Sequence, residues 1–155
     1  MKKKVMFISS VGGHLTQLLQ LKELFDEYDY KIVTEKTKIT EKMRDEHDMS
    51  YLLYGARNYP VRYIFKFIAN FFKSVFLFLQ YRPDCIITTG AHTAVPMCYI
   101  AKLFGKKIIF IESFAKTSSP NLSGKLVYPI ADLFIVQWES MLKYYPKAVY
   151  GGSIY

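Results

Sequence analysis

The chain has 155 residues, of which 51% are hydrophobic, 17% aromatic and 22% charged, with only 8 Gly and 6 Pro. This composition excludes disordered, collagen-like and low-complexity proteins, and the length predicts a single domain over residues 1–155. The formal net charge of +8 favours an anionic partner, such as nucleic acid, an acidic membrane surface or phosphate groups.

Short apolar runs alternate with helical patterns along the whole chain. The predicted strands cover residues 5–8, 30–34, 49–54, 84–89, 107–111 and 132–136. The predicted helices cover residues 15–25, a short stretch within 35–48, and residues 61–81, 93–104 and 125–130. The alternation predicts an α/β fold, a doubly wound parallel sheet with helices on both faces and the strand order 3-2-1-4-5-6.

The two cysteines and the first residues bear on the cellular compartment. Cys85 and Cys98 lie in apolar surroundings without metal-ligand spacing, which predicts buried thiols in a reducing compartment. The basic start is followed by an apolar run over residues 5–8 that is too short for a signal peptide. We therefore expect a cytoplasmic chain.

The first candidate site follows the first predicted strand, at the sheet edge where ligands of such folds bind. Gly12, Gly13 and His14 lie between this strand and the first helix. Glycines there let the backbone approach a ligand, and free N–H groups at the start of a helix attract anions. The G-x-G-x-x-G dinucleotide fingerprint is missing. A glycine turn that only caps a helix, with His14 packed against it, is the alternative.

Two further loops are predicted at the same edge of the sheet. Gly90 and His92 follow the fourth strand, which the predicted strand order places beside the first, so both glycine loops should line one crevice. Glu112 ends the fifth strand and precedes a hydroxyl-rich stretch that contains Ser113 and Lys116. A carboxylate there could accept a proton from a nucleophile or could pair with a lysine. No carboxylate pair has metal-ligand spacing, so we expect neither a metal nor a cofactor.

The helix over residues 61–81 has more apolar residues than one sheet face can cover, since 15 of its 21 residues are apolar. Four of its polar positions form one stripe with spacings of four, four and three: Arg62, Lys66, Asn70 and Lys73. The uninterrupted apolar run after Lys73 is too short to span a bilayer. The pattern favours a helix in the membrane interface, with basic groups near phosphates and Phe71, Phe72 and Phe76 in the acyl region. Burial against a partner protein is the alternative.

The chain resembles a known family in four blocks, VGGHLTQLLQL, TTGAHTAVP, IESFAKTSSPNLSGKLVYPIADLFIVQW and AVYGGSIY. This family contains the membrane-anchoring subunit of the split UDP-N-acetylglucosamine transferase of dolichol-linked oligosaccharide synthesis. Its bacterial members act in capsular and exopolysaccharide synthesis. The resemblance implies the Rossmann-like, acceptor-side, N-terminal half of a GT-B glycosyltransferase that is divided between two polypeptides.

The resemblance also implies partners and residue roles. A separately encoded subunit would bind the UDP-sugar, and the sugar would pass to a polyprenyl-diphosphate-linked acceptor at the cytoplasmic face of the membrane. His14 and Glu112 are the candidates for activating the acceptor hydroxyl. The candidate substrate-binding residues are Gly12, Gly13, Gly90, His92, Ser113 and Lys116. Eukaryotic members carry an N-terminal membrane helix. We expect none here and expect the 61–81 helix to bind the anionic membrane surface peripherally.

Two other functions stay open from the sequence. The chain could be a non-catalytic scaffold that recruits a partner transferase to the membrane. Binding of a nucleotide or a nucleic acid is the weaker alternative, because the basic residues are dispersed and the aromatic residues cluster in a helix. We therefore expect no nucleic-acid partner. The apolar tail over residues 150–155 predicts docking against the partner subunit.

Overall fold

The computed structural model describes residues 2–55 and 60–154. Within them, seven parallel strands form one sheet in the order β3-β2-β1-β4-β5-β6-β7. The strands are β1 (Lys4–Ser9), β2 (Asp29–Glu35), β3 (Met49–Leu52), β4 (Cys85–Gly90), β5 (Lys107–Ile111), β6 (Leu133–Val136) and β7 (Val149–Tyr150). The predicted parallel sheet and the order of its first six strands are confirmed. The sequence analysis missed β7, which has two residues, both exposed.

Six α-helices and three short 3₁₀ segments connect the described strands. The helices are α1 (Gly13–Leu19), α2 (Lys22–Glu27), α3 (Lys38–Lys42), α4 (Pro60–Tyr81), α5 (Val95–Leu103) and α6 (Leu122–Val127). The 3₁₀ segments are Met43–Asp45, His92–Ala94 and Glu139–Lys143. The short helix expected within residues 35–48 and the long helix over 61–81 are both present.

Two helices differ from the sequence-based prediction. The predicted helix over 15–25 is divided, because the N–H groups of Gln20 and Leu21 bond three residues back instead of four. This tighter turn redirects α2 so that Phe25 packs against β1 and β2. The helix predicted over 125–130 is also wrong in its bounds. It begins at Leu122, because the side chain of Asn121 accepts the Gly124 N–H at 2.5 Å and caps it.

Two apolar layers cover the two faces of the sheet, as a doubly wound fold requires. One layer joins the sheet to α4 and α5, with Phe78 and Met97 at its centre. The other joins the sheet to α1 and α2 through Leu18 and Phe25. Cys98 is fully buried, as predicted, and burial raises the pKa of its thiol to about 12, whereas Cys85, also predicted to be buried, is only partly buried.

The described part of the C-terminal tail returns to the chain's own sheet. The Gly151 N–H donates to the Val136 carbonyl at 2.9 Å, and the Ile154 N–H donates to Gln137 Oε1 at 3.2 Å. Ile154 is partly buried against the layer that contains α1 and α2. The apolar side chain that the sequence analysis assigned to a partner surface therefore packs on its own domain.

Candidate functional site

The loops that follow β1 and β4 touch at the carboxyl edge of the sheet. His14 Nδ1 lies 2.7 Å from the carbonyl oxygen of Thr89, and the Thr89 hydroxyl donates to the His14 carbonyl at 2.7 Å. A carbonyl oxygen can only accept, so the imidazole carries a proton on Nδ1 and its neutral form has a lone pair on Nε2. The two loops therefore line one crevice, and one of them sets the tautomer of His14.

The three loop glycines differ in what their positions demand. Gly90 has a φ of +91°, and a Cβ built there would lie 3.3 Å from the His14 ring. Gly12 also has a positive φ, of +87°, but a Cβ there would meet nothing within 4 Å. Gly13 shows neither feature. Only at Gly90 do backbone conformation and close approach both require glycine.

A cleft of about 550 Å³ opens beside these loops. Its polar lining includes His14 and His92 together with Ser113 and Lys116 from the loop after β5. Its apolar lining comes from the helices on one face of the sheet, through Tyr63, Val95, Leu122 and Leu126. The structure thus brings four of the predicted site residues into one cleft of a size that suits a small-molecule ligand.

Glu112 lies behind the wall of this cleft instead of in its lining. The residue is 1% exposed. Its Oε1 accepts the Ser113 N–H at 2.9 Å and the Asn121 amide at 2.6 Å, and its Oε2 accepts the Tyr145 hydroxyl at 3.1 Å. Burial raises the pKa of this carboxyl group above its usual range, although the hydrogen bonds oppose that shift. In this geometry both oxygens of Glu112 are bonded to Tyr145 and to the 112–124 loop, and the residue does not line the cleft.

The sequence analysis overlooked a second buried carboxylate, Glu35 at the end of β2. It is 3% exposed, and its Oε2 accepts the Val11 N–H from the loop after β1 at 3.0 Å. Its Oε1 accepts the Thr93 hydroxyl at 2.9 Å and lies 3.7 Å from Nε2 of His92. Ser10 extends the network by donating to Thr93. The position of Glu35 at the carboxyl end of a parallel strand was a signal that the analysis could have used.

Helix α4 has one buried face, formed by its second half. Ser74, Leu77, Phe78 and Tyr81 are buried against the domain. The Tyr81 hydroxyl donates to the Asp29 carbonyl at 2.5 Å and ties the end of the helix to the start of β2. The last two turns of α4 are therefore part of the core.

The opposite side of α4 is apolar and open. The exposed apolar stripe consists of Val61, Ile64, Phe65, Ile68, Phe72, Phe76 and Leu79. At 100° per residue these side chains fall within about 120° of one another on the helix surface. Each of them is between 48% and 69% exposed. The apolar excess predicted from the sequence is thus left uncovered by the domain.

The predicted polar stripe of α4 lies on the flank of the helix and is partly occupied by the domain itself. Lys66 donates to the Tyr54 carbonyl at 2.7 Å, and the Asn70 amide bonds both the N–H and the carbonyl of Leu53. Arg62 is exposed and Lys73 is half-buried. Lys66, which the sequence analysis assigned to lipid phosphates, is held against the segment after β3.

By length and composition, the segment Val61–Tyr81 could cross a membrane. Only 22% of its most apolar 18-residue window is buried, and the buried residues belong to the second half that packs into the core. Across residues 2–55 and 60–154, the structure brings together no group of three or more His, Cys, Asp or Glu side chains that could hold a metal ion.

Comparisons with known proteins agree with this architecture. The family model described as "Oligosaccharide biosynthesis protein Alg14 like" matches residues 5–154. The chain is similar to the mouse UDP-N-acetylglucosamine transferase subunit ALG14, with 30% identity over 179 residues that cover 97% of this chain and 82% of the mouse protein. A Candida albicans protein of the same name is 44% identical over 93 residues, which cover 56% of this chain and 42% of that protein.

Solved structures show the same fold at low sequence identity. Acinetobacter baumannii MurG superposes with a TM-score of 0.74 at 18% identity, covering 89% of this chain and 42% of MurG. A UDP-N-acetylglucosamine 2-epimerase from Rickettsia bellii gives a TM-score of 0.72 at 16% identity, covering 94% of this chain and 42% of the epimerase. The chain therefore spans less than half the length of each of these two folds.

Proposed function

We propose that this chain, which belongs to the Alg14-like family of oligosaccharide biosynthesis proteins, is the acceptor-side subunit of a two-chain glycosyltransferase. A separately encoded subunit would bind a UDP-sugar. The pair would transfer the sugar to a polyprenyl-diphosphate-linked acceptor at the cytoplasmic face of a membrane, in the synthesis of a capsular or other exported polysaccharide.

The cleft beside His14 is the observation that carries this proposal. It brings two imidazoles, a hydroxyl and an ammonium group together at the carboxyl ends of β1, β4 and β5. Sugar transfer requires donor and acceptor to be held together and shielded from water. A cleft whose described walls all come from one domain needs a second domain to close over it, and the partner subunit would supply that domain.

His14 is the group best suited to activate the acceptor hydroxyl. Its Nδ1–H is held by the Thr89 carbonyl, so the Nε2 lone pair is available to take a proton. Lys116 and His92 would bind phosphate oxygens of the substrates, and Ser113 would bind a sugar or phosphate oxygen. Gly90 gives His14 the space it occupies. Glu112, with both carboxylate oxygens engaged, would act by holding the loop that carries Ser113 and Lys116.

Reconstitution tests the two-chain proposal. The purified chain, incubated with UDP-N-acetylglucosamine and a lipid-diphosphate-linked acceptor, should give no transfer, and activity should appear when the donor-side subunit is added. His14→Gln should lower kcat by at least about a hundredfold, the usual contribution of a general base, while co-purification with the partner is unchanged. Glu41→Gln is the matched control, because Glu41 on α3 is exposed and pairs with Lys36, which precedes that helix.

Two results would contradict this proposal. Full transfer by the isolated chain would overturn the division of the enzyme between two subunits. Wild-type activity of the His14→Gln complex would instead support the scaffold, in which the chain recruits the transferase without contributing to its chemistry.

The exposed apolar stripe of α4 supports a second part of the proposal, peripheral binding to an anionic membrane. Phenylalanine, isoleucine and leucine side chains gain free energy when they leave water for the acyl region. Arg62 and Lys73 lie on the flank of the helix, where cations can reach lipid phosphates. Because the second half of α4 is packed into the core, the helix would lie along the surface and would not cross the bilayer.

Vesicle co-sedimentation tests the membrane contact. Phe72→Ser combined with Phe76→Ser should weaken binding to anionic vesicles by well over about tenfold, since burying each ring contributes about 1.5–3 kcal/mol. The fold should survive, because both rings are exposed in the free domain. Ile39→Ser, at a similarly exposed apolar residue on α3, is the matched control and should bind as the parent does.

Salt and alkaline extraction separate the remaining explanations. High salt should weaken binding of the parent chain without abolishing it, because screening affects only the electrostatic part. Alkaline carbonate should release the bound chain. Equal sedimentation of parent and double variant would assign the stripe to a protein partner, whereas resistance to carbonate would indicate a spanning helix.

A further inference from the structure

Glu35 and His92 lie side by side at the boundary between the domain interior and the cleft. The Glu35 carboxylate is buried, and His92 lies between it and the cleft, with Nε2 at 3.7 Å from Oε1. His92 also lines the cleft that contains His14 and Lys116. A small cavity of about 10 Å³, enough for about one water molecule, lies beside the pair.

We propose that Glu35 is a positioning residue that keeps His92 protonated and oriented, so that His92 and Lys116 together bind a diphosphate group in the cleft. This inference rests on the proposed function for the identity of the substrate, but its chemistry requires only a diphosphate. It assigns different tasks to the two histidines of the cleft. His14 serves as a proton acceptor, and His92 serves as a cation.

The contacts of Glu35 explain why it would hold its position. Its Oε2 is fixed by the Val11 N–H and its Oε1 by the Thr93 hydroxyl, which in turn accepts from Ser10. A carboxylate anchored at both oxygens cannot turn away when His92 loses its proton. An opposite charge within about 4 Å favours the charged form of an imidazole, and the low dielectric around a buried carboxylate strengthens that effect.

Among residues 2–55 and 60–154, the other ionisable groups that line the two cavities beside His92 come from three elements. Lys66 and Tyr63 of α4 line the small cavity, and the Tyr63 ring lies 5.6 Å from the imidazole ring. Lys116 from the loop after β5 and His14 from α1 share the cleft. The two lysines oppose protonation of His92, and Glu35 is the anionic group among these neighbours. Removal of the Glu35 charge should therefore shift the equilibrium towards neutral His92.

Imidazole NMR on the full chain, with inorganic pyrophosphate as the probe, tests the pair without any transfer reaction. In Glu35→Gln the titration midpoint of His92 should fall, while that of His14 changes little. Glutamine fits the site, because its oxygen can accept from Val11 while its amide donates to Thr93. Glu41→Gln, outside the cleft, should leave both midpoints unchanged.

Calorimetric titration gives the second readout. At about pH 6, Glu35→Gln and His92→Gln should each bind pyrophosphate roughly tenfold more weakly than the parent, the effect of about one charge-assisted hydrogen bond. At about pH 8, where an imidazole is mostly neutral, the three proteins should differ less. All comparisons are made between proteins at one pH, because pyrophosphate itself changes protonation.

An unchanged His92 midpoint in Glu35→Gln would overturn the proposal, as would equal pyrophosphate affinity of parent and His92→Gln at about pH 6. If Glu35→Gln fails to fold, the His92→Gln comparison still decides whether His92 binds the anion. A positive result here together with no sugar transfer on reconstitution would reject the glycosyltransferase proposal and leave the Glu35–His92 pair standing.

Discussion

Two buried glutamates lie at the carboxyl ends of strands of the same sheet, Glu35 as the last residue of β2 and Glu112 directly after β5, and they have different hydrogen-bond partners. Glu112 is bonded to a neutral amide, a phenol and the N–H of Ser113. Glu35 is bonded to loops after two other strands and faces His92. Both residues are at most 3% exposed. Burial and strand position are therefore alike for the two carboxylates, and their neighbours are what differ.

The largest difference between the two glutamates should appear in stability. Glu112→Ala leaves three buried or partly buried donors without an acceptor and should lower the free energy of unfolding by about 3–5 kcal/mol. Glu35→Ala leaves two such donors and opens onto an existing small cavity that admits water, so we expect a loss of about 1–3 kcal/mol. Urea unfolding measures both losses. Equal losses of unfolding free energy would show that Glu35 stabilises the fold as much as Glu112 does.

The next largest loss of stability is expected from a substitution at Gly124, which lies beside Glu112. A Cβ at Gly124 would lie 2.5 Å from both Glu112 Oε2 and the Tyr145 hydroxyl, so Gly124→Ala should cost about 2–3 kcal/mol by forcing the two groups apart. Gly13→Ala is the matched control. A Cβ there meets nothing within 4 Å at the first position of α1, and stability should change by less than about 1 kcal/mol. A tolerated Gly124→Ala would mean that the Glu112 site is looser than its distances indicate.

The smallest effect should be a pH dependence of stability that comes from Glu112. Burial raises the pKa of its carboxyl group in the folded state, so the folded chain binds a proton more tightly than the unfolded chain. Stability should therefore fall as the pH rises above the ordinary glutamate value of about 4.3 towards the raised folded-state value. Glu112→Gln should flatten this slope in urea unfolding at a series of pH values.

Two aspartates provide an internal reference for that slope. Hydrogen bonds and lysines lower the pKa of Asp84 and Asp132, so their contribution is lost as the pH falls through their folded-state values, below about 3.9. The two windows lie on opposite sides of about pH 4. If the free energy of unfolding of Glu112→Gln still falls with rising pH above about pH 4, the dependence comes from another group.

The parallel sheet and the excess of apolar surface on α4 could be predicted from the sequence, because both produce periodic patterns of apolar side chains. The break between α1 and α2 could not be predicted, because it depends on hydrogen bonds from the Gln20 and Leu21 N–H groups to carbonyls three residues back. The start of α6 could not be predicted either, because it depends on the Asn121 side chain, which accepts a hydrogen bond from the Gly124 N–H. These features depend on single hydrogen bonds, which leave no repeat in the sequence.

The candidate site, too, could be predicted only in part from the sequence. His14, His92, Ser113 and Lys116 could be predicted because loops after neighbouring parallel strands meet at one edge. The difference between Glu35, which faces His92, and Glu112, which bonds Asn121 and Tyr145, could not be predicted. It depends on whether each side chain turns into the domain or towards His92, and residues far apart in the chain decide that direction.

The close approach of Gly90 to His14 limits how this protein can vary among relatives. A methyl group at position 90 would need a backbone conformation that side chains rarely adopt and would press on the imidazole 3.3 Å away. A change at either position therefore alters which residues the other can accept. We expect the two positions to be inherited together, with glycine retained at 90 wherever a ring is retained at 14, and a larger residue at 90 only where 14 has become small.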